Sequence, residues 1–558
     1  MFSNKKVSLF EIPTKGTGVS TMEANPFLAA SRKESAKALS GNGALKYHTS
    51  GSDFLDQFAN LGTYRKERSY ADVSKDCAVL WSSNPETSIK FILYMRTVSR
   101  QVMLDNGTKT EKVQKGQGLK HEDILRMIWL SVEHPTEFWV NLPLFISLGS
   151  WKDIFQMLSY DLEYNGWDNK VLDWDNFKVL IQLASTNEFH VNLFKKYLPQ
   201  IQAKSHCVTV RAQARTMIAK WVANALGLSY KEYRLFKTTG QAHTWQKMIS
   251  QKKFSEINFN SVHGRALLQL TTSKFLQNQG LVKTYESWLM AQPVAKFTGY
   301  VHELAMKITG NLLPHIKMTL NKQYDGLIEK AKKDGNLSST FLVVRDTSGS
   351  MTSEIPGQKI SAFNVAKALG IYFGDLLEGP FKNSWMEFNS TVQMHFYKEK
   401  TFVDKWLGER CGYIGSTNFV GVADYFVSIL KKTGSEDQFP GGILCISDGE
   451  FNSVGKQSTN VEQFKARLVA GGFSKEYVDN FKIVLWDIRN NFYGERSAKF
   501  ETFGNHDNVF YVSGYDGSVV SFLLGGEADK NGVVNTPKNA EELFQAAMNQ
   551  EVLNMVKI

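Results

Sequence analysis

The sequence predicts a multidomain protein: an α-helical domain of HEAT-like repeats, followed by an α/β domain with a doubly wound parallel sheet. Apolar residues recur at helical spacing (i, i+3, i+4 and i+7) from about residue 45 to residue 330. From about residue 336, short apolar runs of strand type alternate with helical patterns, which is typical of a parallel sheet covered on both faces. A chain of 558 residues is also too long for one hydrophobic core.

Residues 1–44 are rich in Ser, Lys, Gly and Asn and have weak periodicity, so we expect a loosely ordered arm with a short helix between about residues 26 and 39. No apolar run in the chain reaches the ~20 residues that cross a bilayer. The short apolar stretch near the N-terminus is too small for a secretory signal. These features predict an intracellular, cytoplasmic protein.

The helical domain is predicted to span residues 45–335. Helices are expected to begin at Pro85, near His121, near Pro135 and at Trp151, with short connections between them. Such spacing favours antiparallel helix pairs with a curved or closed outline. The polar, glycine-containing stretch 101–118 predicts an exposed, mobile loop.

The α/β domain is predicted to span residues 336–525 and a C-terminal tail residues 526–558. Strands are expected at 340–345, 384–389, 392–397, 442–447, 481–487 and 509–513, and helices at 360–378, 418–432, 460–471 and 538–556. The last helix is expected to dock onto the helical domain.

Three polar segments of the α/β domain form an ordered metal-binding pattern. Asp346, Ser348 and Ser350 form a D-x-S-x-S run directly after the first strand. Thr417 precedes a predicted helix, and Asp448 ends a predicted strand. This pattern resembles the metal-ion-dependent adhesion site of von Willebrand factor A (vWA) domains, and oxygen ligands of this kind suit Mg²⁺ or Mn²⁺. The alternative is a vWA domain that no longer binds metal, in which the aspartates only cap helices.

The charge is unevenly distributed, which suggests a polyanionic partner. The whole chain carries +10, but residues 201–300 alone hold 14 basic and 3 acidic residues. Aromatic residues are interleaved with these charges, among them Trp221, Phe236, Trp245 and Phe254, and basic grooves with aromatic side chains suit single-stranded RNA. The candidate RNA-binding residues are Lys204, His206, Arg211, Arg215, Lys220, His243, Lys247, Lys252, Lys253, His263 and Arg265. The alternative is a positive surface that only keeps the helices solvated.

Four cysteines, at positions 77, 207, 411 and 445, form no C-x-x-C pair and have no zinc-ligand spacing. We expect reduced thiols in the role of small hydrophobic residues.

Several segments resemble the TROVE-module proteins, which include the Ro ribonucleoproteins, and resemble more closely a TROVE-like family of plants, large DNA viruses and phages. The segments that carry the resemblance are Gly43–Tyr47, Ser50–Asp56, Asn84–Pro85, Arg96–Arg100, Leu148–Asp153, Val484–Arg489 and Val512–Gly514. In Ro proteins the helical repeats close into a ring that the vWA domain bridges. The ring takes single-stranded ends of misfolded RNA, and its outer surface holds small noncoding RNA. The resemblance therefore implies an RNA-binding ring, and a phage or viral origin in which the protein lies in the host cytoplasm or the virion.

Three classes of function remain open. The first is a non-enzymatic RNA-binding ring with a metal-dependent interaction domain. The second is a protein-interaction or structural scaffold, such as a virion component, whose metal ion binds a partner's carboxylate. The third is an enzyme, but the sequence has no Ser/His/Asp triad, Walker loop or HExxH motif, so we predict a non-enzyme.

Overall fold

The computed structural model describes residues 26–63, 68–104, 108–187, 191–239, 245–333, 340–355, 359–410, 415–488, 499–504, 506–515, 523, 527–528 and 534–558. Two of the sequence-derived positions, His243 and Cys411, lie outside these ranges. Within them, no helix is long and apolar enough to cross a membrane.

The N-terminal part is built almost wholly of helices, as predicted. They are α1 (Pro26–Ser35), α2 (Asp53–Asn60), α3 (Tyr70–Ser83), α4 (Pro85–Arg96), α5 (Glu122–Glu133), α6 (Pro135–Leu148), α7 (Trp151–Asn165), α8 (Trp174–Thr186), α9 (Val191–Tyr197), α10 (Val210–Ala225), α11 (Tyr230–Thr238), α12 (Trp245–Ser250), α13 (Gly264–Thr272), α14 (Phe275–Asn278), α15 (Val282–Met290), α16 (Val301–Ala305) and α17 (Pro314–Lys333). Their apolar faces bury one continuous core and a smaller one around Phe259 and Leu267.

Local sequence explains where the helices begin. The Asn84 side chain accepts a hydrogen bond from the Thr87 backbone at the start of α4, and Pro85 occupies the first turn, where no backbone donor is needed. At the start of α7, the Asp153 carboxylate accepts from the Ser150 backbone and closes a capping box. The predicted starts at Pro85, Pro135 and Trp151 are therefore confirmed, and the start near His121 is confirmed within one residue.

The C-terminal part is a vWA-like α/β domain around a six-stranded sheet. The strands are β3 (Phe341–Asp346), β4 (Ser384–Phe388), β5 (Val392–Phe396), β6 (Gly442–Ser447), β7 (Lys482–Asp487) and β8 (Val509–Ser513), in the order β5-β4-β3-β6-β7-β8. The helices are α18 (Ala362–Leu376), α19 (Phe402–Gly408), α20 (Val420–Thr433), α21 (Asn460–Ala470), α22 (Lys475–Asn480) and α23 (Ala540–Met548), and a short strand pair joins β9 (Glu527–Ala528) to β10 (Val534–Asn535).

The sheet is mixed rather than wholly parallel. β5 runs antiparallel to β4 at the edge of the sheet, with Ser384 paired to Phe396 and Phe388 to Val392. The two strands are separated by only three residues, and so short a connection can make only a hairpin, since a parallel crossover needs a dozen residues or more. The predicted parallel sheet is therefore confirmed for β4, β3, β6, β7 and β8, and β5 is an antiparallel strand at its edge.

The predicted N-terminal arm is more ordered than expected in its described part. After α1, the strands β1 (Lys37–Leu39) and β2 (Leu45–Tyr47) form an antiparallel hairpin. Tyr47 continues this pairing by a bridge to Phe500 of the vWA-like domain. The hairpin is thus fixed to the vWA-like domain.

The prediction that residues 101–118 form an exposed loop was wrong for the last part of this stretch, residues 114–118. Gln114 and Gln117 are buried, and antiparallel bridges pair Arg100 with Gln114 and Met103 with Lys109. The C-terminal segment covers this loop: the Val552 backbone donates to the Gln114 side chain at 3.0 Å, and the Gln550 side chain bonds Lys115 in both directions. Amide side chains that pair with backbone let a polar loop be buried without loss of hydrogen bonds.

The two ends of the helical domain meet, and the vWA-like domain contacts both. The Tyr300 hydroxyl donates to the Gln117 carbonyl at 3.2 Å, and the Lys330 ammonium donates to the Ser99 carbonyl at 2.6 Å. Two helices of the helical domain contact the vWA-like domain: α2 packs against β8, and α17 packs against α18 and α19. α23 lies against α2 and α4, which confirms that the C-terminal helix docks onto the helical domain.

A buried ion pair stabilises the centre of the sheet. The Arg345 guanidinium, on β3, donates two hydrogen bonds of 2.9 and 2.8 Å to Glu409, and both side chains are at most 3% exposed. It also stacks 3.8 Å from the centre of the Trp385 ring. Burial alone would raise the pKa of Glu409, but the charge and hydrogen bonds of Arg345 hold it below its usual value.

We expect Glu409→Ala to lower the free energy of unfolding by about 3–5 kcal/mol, because it leaves a guanidinium in the core without its carboxylate. Urea denaturation at pH 7 measures the loss. The double variant Arg345→Met, Glu409→Leu should recover most of it, since it removes both charges. A single variant that is as stable as the parent would contradict this account. Because the pKa of Glu409 is lowered, its contribution is present at neutral pH and is lost as the pH falls through that pKa.

Candidate metal centre and basic surface

The structure brings the three parts of the metal motif to one edge of the sheet. Asp346 ends β3, Ser348 and Ser350 lie in the loop that follows, and Asp448 follows β6, the neighbouring strand. Thr417 lies in the loop before α20. The loops are joined by a hydrogen bond of 3.1 Å from the Gly349 backbone to the Gly415 carbonyl. Carboxyl ends of neighbouring parallel strands are where open α/β sheets bind ligands.

Asp346 is fully buried and fixed in orientation. One carboxylate oxygen accepts from the Ser348 backbone at 2.8 Å and the other from the Ser447 hydroxyl at 2.6 Å. Burial, and then the charge of Asp448, raise the pKa of Asp346 to about 7. A bound cation would offset the repulsion between these two buried carboxylates.

The hydroxyl groups meet a second requirement of a magnesium site. The Ser348 and Ser350 hydroxyl oxygens are 3.1 Å apart. Adjacent ligands on an octahedral ion with bonds of ~2.1 Å are separated by roughly 3.0 Å. No cluster of three His, Cys, Asp or Glu side chains that could hold a metal occurs in the described ranges, so any ion here depends on the hydroxyl groups. The donor set, two carboxylates and three hydroxyls, fits Mg²⁺ or Mn²⁺.

Two supporting residues were not found from the sequence. Ser447 orients Asp346, and it also accepts from the Gly449 backbone at 3.0 Å. Asn452 holds Thr417 from both sides, since its side chain accepts from the Thr417 backbone and its own backbone donates to the Thr417 carbonyl. Ser447 stands next to Asp448 in the motif and could have been noticed; Asn452 carried no comparable signal.

A third unanticipated residue is Lys46, on β2. Its ammonium donates to the Gly449 carbonyl, forms an ion pair of 3.4 Å with Glu501, and lies 5.0 Å from the centre of the Phe451 ring. It lines a cavity of about 60 Å³ beside Asp448. The N-terminal hairpin therefore supports the loop that carries one of the candidate metal ligands.

Among the described residues, the candidate RNA-binding residues are divided between elements that pack into two different hydrophobic cores. Arg211, Arg215 and Lys220 are exposed on α10, which packs into the main core of the helical domain. Lys252 and Lys253 are exposed in the turn after α12, which packs into the smaller core. His206, His263 and Arg265 are also exposed, and the side chains of Lys204 and Lys247 lie outside the described residues. Carboxylates already engage part of the set: Glu163 lies 3.9 Å from Arg211, Glu256 3.4 Å from Lys253, and Glu303 2.5 Å from Arg265.

The aromatic residues noted in the sequence are mostly packed inward. Trp221 and Phe236 are half-buried against the main core, and Trp245 and Phe254 are half-buried in the smaller core region. Two exposed rings lie outside this segment, at the end of α7: Tyr164 is 70% exposed and Trp167 38% exposed. Sequence periodicity did not separate these two rings from core positions.

One basic side chain lies on these rings, and others lie on the neighbouring helix. Tyr164 stacks on Tyr160 at 4.1 Å, and Lys170 lies 4.2 Å from the centre of the Trp167 ring. Arg211 approaches from α10, the partner helix of α7, through its contact with Glu163. We call Tyr164, Trp167, Lys170, Arg211 and Arg215 the α7–α10 surface.

Comparison with known proteins shows similarity to one family model and to solved structures. A family model described as a domain of unknown function (DUF7788) matches residues 340–557, which is the vWA-like part with its C-terminal segment. The fold is similar to the crystal structure of the Ro (RSR) protein of Deinococcus radiodurans, with a TM-score of 0.42, 11% identity, and coverage of 89% of this chain and 99% of that one. No curated protein matches the sequence.

Proposed function

We propose that this protein is a non-enzymatic RNA-binding protein that holds single-stranded RNA on its α7–α10 surface. The observation that carries the proposal is that two exposed rings, Tyr164 and Trp167, lie at the end of α7. Lys170 lies on the Trp167 ring, and Arg211 lies on α10, the helix packed against α7. Stacking of one base on an aromatic side chain contributes about 1–3 kcal/mol and is tolerant of sequence. The neighbouring cations bind phosphates, so the two interactions together suit an unpaired strand.

The vWA-like domain is the second part of the proposal. Asp346, Ser348, Ser350, Thr417 and Asp448 would hold Mg²⁺ or Mn²⁺, in keeping with the buried carboxylate pair and the 3.1 Å hydroxyl separation. When bound, the ion would offer a coordination position to a carboxylate of a protein partner. Ser447 and Lys46 keep the donor loops in place.

The double variant Tyr164→Ala, Trp167→Ala tests the RNA part. We expect it to weaken binding of a fluorescent 12-nucleotide oligo(U) RNA at least 10-fold in anisotropy titrations at about 150 mM salt, because two stacking partners are lost. Phe396→Ala is the matched control, since it removes a ring that is 69% exposed on the vWA-like domain. Equal binding by both variants would show that the α7–α10 surface is not the RNA site.

The scaffold function remains the alternative. It is favoured if the parent protein binds no RNA in these titrations and carries no nuclease-sensitive nucleic acid when purified from its host. The metal site would then be the main interaction site of the molecule.

A further inference from the structure

Two segments that the RNA proposal does not use, Arg96–Arg100 and Leu148–Asp153, pack against each other. The Arg96 guanidinium donates two hydrogen bonds to the Asp153 carboxylate, at 2.9 and 3.0 Å. Arg100 donates to the Gly149 carbonyl at 3.1 Å. A Cβ atom on Gly149 would lie 2.5 Å from an Asp153 oxygen, so the glycine is required by this close approach. The end of α4 is thus fixed to the start of α7.

Two further basic residues, Lys120 and Arg265, are connected to the end of α4 by hydrogen bonds of residues near them. Residues 117–119 pair with the end of α4, since Gly118 and Leu119 donate to the carbonyls of Thr97 and Met95, and Lys120 follows directly. The Tyr300 hydroxyl donates to the Gln117 carbonyl, and its backbone donates to Glu303. Glu303 in turn forms a bidentate ion pair with Arg265.

The cluster has more positive than negative charge. Its cations are Arg96, Arg100, Lys120, Lys152 and Arg265, and its carboxylates are Asp123, Asp153 and Glu303. Burial raises the pKa of Asp123 to about 8, although the charge of Arg96, 3.2 Å away, opposes this rise. Burial, and then the charges of Arg265, Arg96 and Lys152, lower the pKa of Lys120, which shows that the cations repel one another.

Three of the cations also lie at helix N-termini, where positive charge is unfavourable. Lys152 and Arg265 are the second residues of α7 and α13, and Lys120 lies just before α5. The helix dipole places partial positive charge at an N-terminus, where an added cation is unfavourable and an anion is stabilised. Lys120 and Lys152 are exposed, and among the described residues neither forms an ion pair. Repelling cations at three helix N-termini are explained if an anion binds between them.

We propose that Arg100, Lys120, Lys152 and Arg265 form a binding site for a phosphate monoester. A dianion with three peripheral oxygens can accept from several guanidinium and ammonium donors at once, and arginine matches this geometry by bidentate bonding. The monoester is either the terminal phosphate of an RNA strand or that of a free phosphate compound. This site goes beyond the proposed function and shares no residue with the α7–α10 surface.

The test uses the full-length protein and two probes. Binding of inorganic phosphate is measured from ³¹P NMR line broadening, and binding of one 12-nucleotide RNA, with and without a 5′-monophosphate, from anisotropy. The variant is Lys120→Gln, Lys152→Gln, and the matched control is Lys431→Gln, Lys432→Gln, which removes two exposed charges at the far end of α20 in the vWA-like domain. Circular dichroism and the thermal midpoint verify that both variants are folded.

We expect the parent and the control to bind inorganic phosphate and the variant to bind it at least fivefold more weakly. If the 5′-phosphate also strengthens RNA binding in the parent and not in the variant, the ligand is an RNA end; if only inorganic phosphate responds, it is a free phosphate compound. The proposal is overturned if the parent binds neither phosphate form, or if the variant and the control respond alike. Because RNA that lacks the 5′-phosphate reports on the α7–α10 surface alone, failure of the phosphate site is distinguishable from failure of RNA binding.

Discussion

Replacing Arg211, Arg215, Lys252 and Lys253 together with Glu is expected to weaken single-stranded RNA binding by at least 100-fold at about 150 mM salt. Each lost phosphate contact removes favourable counterion release, and for a single strand the slope of log K against log salt should become shallower by roughly 0.7 per contact. Anisotropy titrations between 50 and 300 mM salt measure both quantities. All four side chains are exposed, so the fold should not change.

Two double variants separate the contributions of the two basic pairs to RNA binding. Arg211→Glu, Arg215→Glu alters the α7–α10 surface, whereas Lys252→Glu, Lys253→Glu alters the turn that packs on the smaller core. We expect most of the loss from the first pair, because it lies on α10, which packs against α7, and the end of α7 carries the exposed rings Tyr164 and Trp167. If the quadruple variant binds RNA as tightly as the parent, neither surface is the RNA site.

The parts of the fold that could be predicted from the sequence are those with local causes. Asn84 and Pro85 specify a helix start by capping and by a fixed backbone angle, and strands such as Gly442–Ser447 are short, wholly buried apolar runs. The errors concern tertiary contacts. The loop 101–118 has the composition of an exposed loop, yet its last part, residues 114–118, is buried, and Gln550 and Val552 supply hydrogen bonds to it from more than 400 residues away.

The residues of the candidate sites also divide into those that a local motif reveals and those whose role depends on tertiary contacts. The five metal-site residues could be found because each follows a strand or precedes a helix within a short motif, so the fold alone brings them to one edge. Lys46 could not be found, because its role depends on the hairpin's contact with Gly449. The basic residues were recognised by charge, but composition does not specify which helices present them together, and the exposed rings Tyr164 and Trp167 were missed. The domain limits, the metal and the absence of enzymatic activity stay predictions.

Asp448→Asn is expected to have opposite effects on stability with and without metal. At pH 8, above the raised pKa of Asp346, the Asp346 carboxylate is ionised in the metal-free parent and is repelled by the charge of Asp448. Removing one charge should therefore raise the free energy of unfolding in EDTA, by on the order of 1 kcal/mol. In saturating Mg²⁺ the order should reverse, because an ion that binds only the folded parent stabilises it by about 2.7 kcal/mol at 100 times its dissociation constant.

Thermal unfolding of the parent and of Asp448→Asn in EDTA and in 10 mM Mg²⁺ measures whether their order of stability reverses. Mn²⁺ binding followed by electron paramagnetic resonance gives an independent readout. Asp487→Asn is the matched control, since this carboxylate lines the adjacent cavity but is not among the five candidate ligands. We expect it to keep both Mn²⁺ binding and the response to Mg²⁺. A parent protein that binds no Mn²⁺ would rule out the metal site, and the aspartates would then serve only to order the loops. Retained Mn²⁺ binding in Asp448→Asn would instead place the ion elsewhere, because a site of two carboxylates and three hydroxyls cannot lose one carboxylate without a large loss of affinity.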